Sequence, residues 1–119
     1  MSKFLITIVG PTAIGKTSLA IKLAKKYKTE VISADSRQFY RELNIGTAKP
    51  SKDELSSVKH HLINNISVTD KYDISHFEAD ARKIIDNLFK TKDSVIIVGG
   101  SGLYIDTILS VSYTHLRAH

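Results

Sequence analysis

The stretch that most constrains this chain is GPTAIGKT at residues 10–17, which fits the pattern G-x-x-x-x-G-K-[ST]. An apolar run, FLITIV at residues 4–9, precedes it and predicts a buried strand. After it, apolar residues recur at helical spacing and predict a helix. A strand, a glycine loop and a helix in this order are typical of a P-loop, in which backbone N–H groups and a helix N-terminus surround a pyrophosphate. The motif therefore predicts a phosphate-binding site.

Two side chains at the end of this motif have expected roles. In a P-loop, Lys16 reaches phosphate oxygens and the Thr17 hydroxyl coordinates Mg²⁺. Mg²⁺ is therefore the expected cofactor. The predicted diphosphate-binding residues are Gly10, Pro11, Thr12, Ala13, Ile14, Gly15, Lys16 and Thr17.

The composition narrows the classes of protein to which the chain can belong. Its 119 residues are enough for one domain with a core. The absence of cysteine excludes disulfides, thiolate metal sites and a cysteine nucleophile. A net charge of +5 suits an anionic partner such as nucleic acid or a polyphosphate, although dispersed surface lysines give the same value.

The distribution of apolar residues bears on the cellular location. No apolar run approaches the ~20 residues that span a bilayer. The short apolar run near the N-terminus leads directly into the glycine loop, unlike a secretory signal. We therefore expect a cytoplasmic protein without membrane contact, and a monomer.

The rest of the chain alternates predicted strands and helices. Apolar runs at residues 30–34 and 94–98 predict two further strands. Residues 51–54 and 75–78 have the capping-box pattern that opens helices, and another helix is expected from residue 103. The second of these helices has an apolar stripe that predicts a core face, formed by Phe77, Ala81, Ile84, Ile85 and Leu88. The predicted fold class is α/β, with a P-loop NTPase-like parallel sheet and flanking helices.

Asp35 follows the second predicted strand, at the edge where open parallel sheets bind ligands. The residue pattern leaves two interpretations open: Asp35 caps a helix that starts at Ser36, or it acts chemically. The strand at 94–98 runs into Gly99-Gly100 instead of the aspartate that usually follows it in NTP-hydrolysing cores. Another carboxylate must then complete the site, and Asp35 is the nearest candidate.

His60-His61 is a weaker pattern. No Cys, Asp or Glu stands at metal-ligand spacing from the pair, and adjacent strand residues point to opposite faces. We expect packing or a polar contact there, not a metal site.

Several motifs taken together resemble those of the tRNA dimethylallyltransferases, also called tRNA isopentenyltransferases. Their order and spacing agree over residues 4–109. The motifs are GPTAIGKT at 10–17, DSRQ at 35–38, Tyr40, IGTAKP at 45–50, HHL at 60–62 and GGSGLY at 99–104. Each motif is modestly specific alone, but the set is highly specific.

The resemblance implies a prenyltransferase. Members of this family transfer a dimethylallyl group from dimethylallyl diphosphate to N6 of the adenosine at tRNA position 37, on the 3′ side of the anticodon, using Mg²⁺. The implied partners are the tRNA anticodon stem-loop and dimethylallyl diphosphate. Pyrophosphate is then a leaving group, which accounts for a P-loop without the usual aspartate.

The resemblance also implies residue roles. Asp35 would be the general base that takes a proton from the adenine amine. Lys16 and Thr17-bound Mg²⁺ would stabilise the charge that develops on pyrophosphate. The residues implied to contact the tRNA substrate are Asp35, Ser36, Arg37, Gln38 and Ser101.

The chain departs from the family pattern in several places. Ile14 stands where the family usually has Ser, and Ser101 where a Thr is common. Family members are longer, so residues 1–109 are expected to be the N-terminal part of a truncated catalytic domain. Residues 110–119 fit no family pattern and are expected to be a non-native tail that adds few apolar residues to the core.

Three clear strands are expected, with residues 94–98 lacking some of their neighbours or covering helices. We therefore expect this chain alone to be poorly stable and catalytically inactive. Three alternatives stay open: an adenylate isopentenyltransferase that uses free AMP, ADP or ATP as acceptor, a small P-loop kinase, and a phosphate-binding fragment without turnover.

Overall fold

The computed structural model describes residues 3–9, 15–42, 49–100 and 102–118. Strands and helices alternate along the chain, as the sequence predicts. The elements are β1 (Phe4–Val9), α1 (Lys16–Lys26), β2 (Val31–Ser33), α2 (Ser36–Phe39), α3 (Lys52–Ser57), β3 (His60–His61), α4 (Ile74–Thr91), β4 (Ser94–Gly99) and α5 (Leu103–Ala118).

The four strands form one parallel sheet in the order β1-β4-β2-β3. β4 lies between β1 and β2, so it forms hydrogen bonds on both sides. Because all pairs are parallel, the carboxyl ends of the strands meet at one edge of the sheet. The predicted α/β class with a parallel sheet and flanking helices is confirmed. Among the described residues, no helix is long and apolar enough to cross a membrane.

Helices cover both faces of the sheet, and successive residues of β4 show why. Ile96 packs with Ala20 and Ala24 of α1 on one face. Ile97, the next residue, packs on the other face with side chains of α4 and α5, including Ile85. This alternation is the ordinary period of a strand. The expectation that β4 lacks neighbours or cover is therefore wrong.

The fourth strand, β3, is not among the three clear strands that the sequence predicts, because it has only two residues. Val31 and Ile32 of β2 pair with His60 and His61. Two adjacent histidines form neither an apolar run nor an alternation of apolar and polar residues, so no sequence pattern indicates a strand. Only their pairing with β2 makes them one. β3 and β1 lie at opposite edges of the sheet.

The sequence predicts two capping boxes, of which the structure confirms one and contradicts the other. The predicted capping box at α3 is confirmed: the Ser51 hydroxyl accepts from the Glu54 N–H at 3.1 Å, and the Ser51 N–H donates to the Glu54 carboxylate at 2.8 Å. The box predicted at 75–78 is wrong. Asp73 caps α4 instead, accepting from the His76 N–H at 3.1 Å. An aspartate two residues upstream captures the first turn, so Ser75 lies inside the helix.

The last helix, α5, continues through residues 110–118 and ends at Ala118. Val111 is 4% exposed and packs in the core beside Ile108. The Ser112 hydroxyl donates to the Ile108 carbonyl at 2.7 Å, which satisfies a buried polar group. This segment therefore contributes to the core more than its composition suggests. Its assignment as a non-native tail stays a prediction.

The open edge of the sheet lies along β1. Within the described ranges, β1 pairs with β4 only. Phe4 and Val9, at its two ends, are 39% and 48% exposed. The Phe4 ring packs edge-on against the Tyr27 ring, with the ring centroids 5.5 Å apart. An apolar edge strand of this kind favours association between chains.

We expect Ile85→Ala to lower the free energy of unfolding by about 2–5 kcal/mol, because it leaves a cavity between α4 and the sheet. Ile85 is fully buried, whereas its neighbour Ile84 is only partly buried. Ile84→Ala is therefore the matched control and should cost clearly less. Denaturant unfolding of both variants measures the difference, and equal losses would contradict this orientation of α4.

The pH dependence of stability should contain a contribution from His60. Burial lowers the pKa of this imidazole from 6.5, although a hydrogen bond to the Val58 carbonyl opposes the shift. The unfolded chain then binds more protons than the folded chain below about pH 6.5, so stability falls as the pH falls. Thermal melts should show a smaller acid loss in His60→Gln than in the wild type. His61→Gln is the control, and an identical pH profile in wild type and His60→Gln would contradict the expectation.

Candidate functional site

A cleft lies at the carboxyl edge of the sheet, on the side of α1. It is bounded by α1, by the ends of β2, β3 and β4, by α2 and by the segments around residues 50 and 63. Its polar wall consists of Lys16, Thr17, Ser33, Asp35, Gln38 and His60. Its apolar wall consists of Ala20, Val31, Pro50, Ile63 and Val98.

Lys16 enters this cleft from the start of α1. The residue before it, Gly15, has φ +109°, a left-handed conformation that favours glycine. The Gly15 carbonyl accepts from the Leu19 N–H at 2.9 Å, which begins the helical hydrogen bonds. The Lys16 ammonium donates to the Gly99 carbonyl at the tip of β4, at 3.3 Å. A cation is therefore held where the first helix meets the central strand.

Thr17 adds a hydroxyl in the first turn of α1 and also lines the cleft. The first N–H groups of an α-helix have no partner inside the helix, and the helix dipole favours negative charge there. α1 has 11 residues and begins at Lys16. The cleft thus combines a helix N-terminus, an ammonium and a hydroxyl, which together suit a diphosphate.

Asp35 and Gln38 line the same cleft from the end of β2 and from α2. Asp35 follows β2 directly, and its carbonyl accepts from the Gln38 N–H at 2.9 Å, which closes the single turn of α2. The Ser33 hydroxyl donates to Gln38 Oε1 at 2.9 Å. This bond engages the carbonyl side of the amide, so the amide nitrogen remains the donor side of Gln38. The structure therefore brings Lys16, Thr17, Asp35 and Gln38 to one cleft.

The other predicted site residues lie wholly or partly outside the described residues. The backbone of Ser36 and Arg37 belongs to α2, but their side chains are not among those described. Residues 10–14, which contain Gly10, Pro11, Thr12, Ala13 and Ile14, lie outside the described ranges, as does Ser101. Their roles stay predictions.

Sequence reasoning missed several residues of the cleft wall. His60 lines the cleft, and its Nδ1–H donates to the Val58 carbonyl at 2.9 Å, which fixes the neutral tautomer with Nε2 unprotonated. Pro50 and Ile63 line it from segments without regular secondary structure. His60 belongs to the HHL motif and Pro50 to the IGTAKP motif, but neither motif by itself indicates a wall, and Ile63 lies in neither.

Gly99 allows the strands to approach closely beside the Lys16 ammonium. A Cβ atom at this position would lie 3.0 Å from the Ala34 carbonyl oxygen and 3.1 Å from the Ala34 Cβ. Contacts this short require the neighbouring Ala34 to move by a few tenths of an ångström, so a side chain here would strain the close approach of β2 and β4. The glycine that replaces the usual aspartate after this strand therefore has a packing reason.

The donor set of the cleft fits Mg²⁺. The Thr17 hydroxyl and the Asp35 carboxylate line the same cleft, and Mg²⁺ prefers oxygen ligands, with waters and substrate phosphates completing its shell. Within the described part of the chain, no group of three or more His, Cys, Asp or Glu side chains could hold a metal ion. A bound Mg²⁺ would accordingly depend on oxygens of the substrate.

Comparison with known proteins identifies relatives of this chain. The tRNA dimethylallyltransferase of Flavobacterium johnsoniae is 56% identical over 107 residues, which are 90% of this chain and 35% of the relative. The tRNA dimethylallyltransferase of Christiangramia forsetii is 56% identical over 108 residues, which are 91% of this chain and 36% of the relative. The chain therefore spans about a third of the length of the curated relatives it matches.

Solved structures of related enzymes resemble this chain as well. The full-length tRNA isopentenylpyrophosphate transferase from Bacillus halodurans matches with a TM-score of 0.81 and 40% identity, over 91% of this chain and 35% of that one. A eukaryotic dimethylallyltransferase acting on tRNA matches with a TM-score of 0.80 and 35% identity, over 89% of this chain and 26% of that one. A family model described as IPP transferase matches residues 38–118, more than half of the chain. The P-loop-type sheet, the cleft and these matches agree, and the chain belongs to the IPP transferase family.

Proposed function

We propose that a full-length protein carrying this segment transfers a dimethylallyl group from dimethylallyl diphosphate to N6 of the adenosine at tRNA position 37. The observation that supports this most directly is the cleft that brings Lys16 and Thr17 together with Asp35 and Gln38. The first pair suits a diphosphate and the second pair suits a nucleobase. Relatives named tRNA dimethylallyltransferase, at 56% identity, share this segment.

The diphosphate half of the reaction belongs to α1 and the loop before it. As the allylic C–O bond breaks, negative charge grows on the departing pyrophosphate. The Lys16 ammonium and the N–H groups at the start of α1 are fixed before substrate arrives, so they stabilise that charge without reorganising. Mg²⁺ bound at Thr17 would supply further positive charge to the same oxygens.

The acceptor half belongs to the end of β2 and to α2. The exocyclic amine of adenine is a weak nucleophile that must lose a proton as its nitrogen bonds to the allylic carbon. We assign that proton to the Asp35 carboxylate, because it lines the same cleft as Lys16 and Thr17. The Gln38 amide nitrogen, set by the Ser33 hydroxyl, can donate to a ring nitrogen of the same base. Ser36, Arg37 and Ser101 are proposed as further tRNA contacts.

The apolar wall suits the five-carbon chain. Ala20, Val31 and Val98 lie beside the polar groups in the same cleft. Apolar contact holds a dimethylallyl group and excludes water, which would otherwise capture the allylic centre and waste the donor. A P-loop kinase transferring the γ-phosphoryl group has no corresponding need for an apolar wall next to its carboxylate.

The proposal also includes the partners, the cofactor, the cellular location and the oligomeric state of the full-length protein. The tRNA anticodon stem-loop and dimethylallyl diphosphate are the partners, with Mg²⁺ as cofactor, and we propose a cytoplasmic monomer. The net charge of +5 supports an anionic partner. Since the chain spans about a third of its relatives, we expect the segment alone to be inactive.

The deciding experiment incubates a full-length protein carrying this segment with dimethylallyl diphosphate and either an anticodon stem-loop or AMP. Transfer to the stem-loop supports the proposal. Transfer to AMP alone would indicate an adenylate isopentenyltransferase. Phosphorylation of a small acceptor by ATP, without any response to dimethylallyl diphosphate, would indicate a kinase.

We expect Lys16→Ala, in that full-length protein, to lower the rate of transfer by about 10²–10³-fold, because one preorganised charge on the departing diphosphate is lost. Affinity for the stem-loop should change little, since the tRNA is held over a wide surface. Lys83→Ala, on the exposed side of α4, is the matched control. An equal loss of tRNA affinity and rate would contradict this division.

Asp35→Asn should lower turnover by about 10²–10⁴-fold, the range typical of a lost general base. The thermal midpoint should stay close to wild type, because asparagine caps a helix as well as aspartate does. Steady-state kinetics beside a thermal melt distinguish the two roles left open for this residue. Near-normal activity would assign Asp35 to capping.

A further inference from the structure

The IGTAKP motif has no role in the chemistry proposed above, yet one of its residues makes a specific set of contacts. The Lys49 ammonium donates to the Tyr40 carbonyl and to Asn64 Oδ1, the latter at 2.7 Å. The side chain is partly buried. Burial lowers the pKa of Lys49, and the nearby Glu42 carboxylate opposes that shift. Lys49 thus joins two segments that are 24 residues apart in the chain, since it bridges Tyr40 and Asn64.

These two segments also form a short backbone ladder. The Asn64 N–H donates to the Gln38 carbonyl at 2.9 Å, and the Ile66 N–H donates to the Phe39 carbonyl at 3.2 Å. The Arg41 N–H donates back to the Ile66 carbonyl at 2.9 Å. Asn64 itself has φ +58°, a conformation that few residues other than asparagine, aspartate and glycine adopt readily.

Both segments belong to the wall of the cleft. Gln38 lines it at the start of the ladder, Ile63 lines it just before Asn64, and Pro50 lines it just after Lys49. The ladder and the Lys49 ammonium therefore together hold three parts of the wall in their relative positions. Hydrogen bonds from a charged donor are stronger than those from a neutral one, so Lys49 is well suited to hold them together before any substrate binds.

We infer that Lys49 is a positioning residue for the acceptor nucleoside: by joining the Tyr40 carbonyl to the Asn64 side chain, it stiffens the link between the segment that carries Gln38 and the segment that carries Ile63. This inference rests on the proposed function, because the acceptor is the adenosine of that reaction. Without Lys49 the backbone ladder alone holds the two segments, so part of their ordering takes place when the acceptor binds, and that ordering reduces affinity. Lys16 and the start of α1 take no part in these contacts, so binding of the diphosphate is unaffected.

The test uses a full-length protein carrying this segment, with steady-state kinetics for the anticodon stem-loop and for dimethylallyl diphosphate. Lys49→Met removes the donors and keeps the aliphatic length. We expect KM for the stem-loop to rise about tenfold, the effect of about 1.4 kcal/mol, while KM for the diphosphate stays within about twofold. Lys49→Arg keeps a charged donor and should return KM for the stem-loop to within about threefold of wild type.

Asn64→Gly provides a second variant, because glycine keeps the positive φ and the N–H bond to Gln38 but removes the oxygen that Lys49 contacts. It should raise KM for the stem-loop in the same direction. The double variant should cost less than the sum of the two single changes, because both remove the same contact. If Lys49→Met does not fold, Asn64→Gly and Lys49→Arg still decide the question. Lys83→Met is the matched control and should leave both constants unchanged.

Several outcomes would overturn the inference. They are an unchanged KM for the stem-loop in Lys49→Met or Asn64→Gly, an equal rise for both substrates, or no rescue by arginine. Failure of the wild-type protein to transfer the prenyl group would instead overturn the proposed function, and the inference with it. Transfer by wild type with normal kinetics in both variants overturns the inference alone.

Discussion

The structure depends on β4 being paired on both sides and buried on both faces. Its four residues from Ser94 to Ile97 are almost completely buried, and helices pack against both faces. A strand in this position fixes the level at which its neighbours end, because parallel pairing aligns β1 and β2 with it. The start of α1, the start of α2 and Gly99 therefore meet at one place. The cleft is a geometric result of that alignment.

The sequence predicted those parts of the fold that short-range patterns determine. The apolar runs of β1 and β4 and the periodic stripe of α4 are long enough to indicate burial. The start of α4 was misplaced because Ser75 and Asp73 are both good caps and only the folded chain shows which one is used. β3 has two residues, so no local pattern can reveal it, and its pairing with β2 is a purely tertiary effect.

The residues of the candidate site likewise divide into those that sequence patterns predict and those that only the folded chain brings together. Lys16, Thr17 and Asp35 could be predicted because a motif or a strand end places them. The wall formed by Pro50, Ile63 and His60 could not, because its shape depends on backbone turns at Leu62 and Asn64 with φ +64° and +58° and on contacts distant in sequence. Local propensity says little about such turns, whereas Lys49 and the ladder beside it hold them in place.

The bond between Lys16 and the Gly99 carbonyl has a consequence for how tightly an anion can be held. The ammonium is already held in this structure by its bond to the Gly99 carbonyl, at 3.3 Å. An ammonium has three N–H donors, so one can stay on the carbonyl while another meets an anion at the start of α1. The conformational entropy of this long side chain is then lost when the chain folds and not when an anion binds. The resting contact therefore favours tight anion binding, because it reduces the ordering that binding requires.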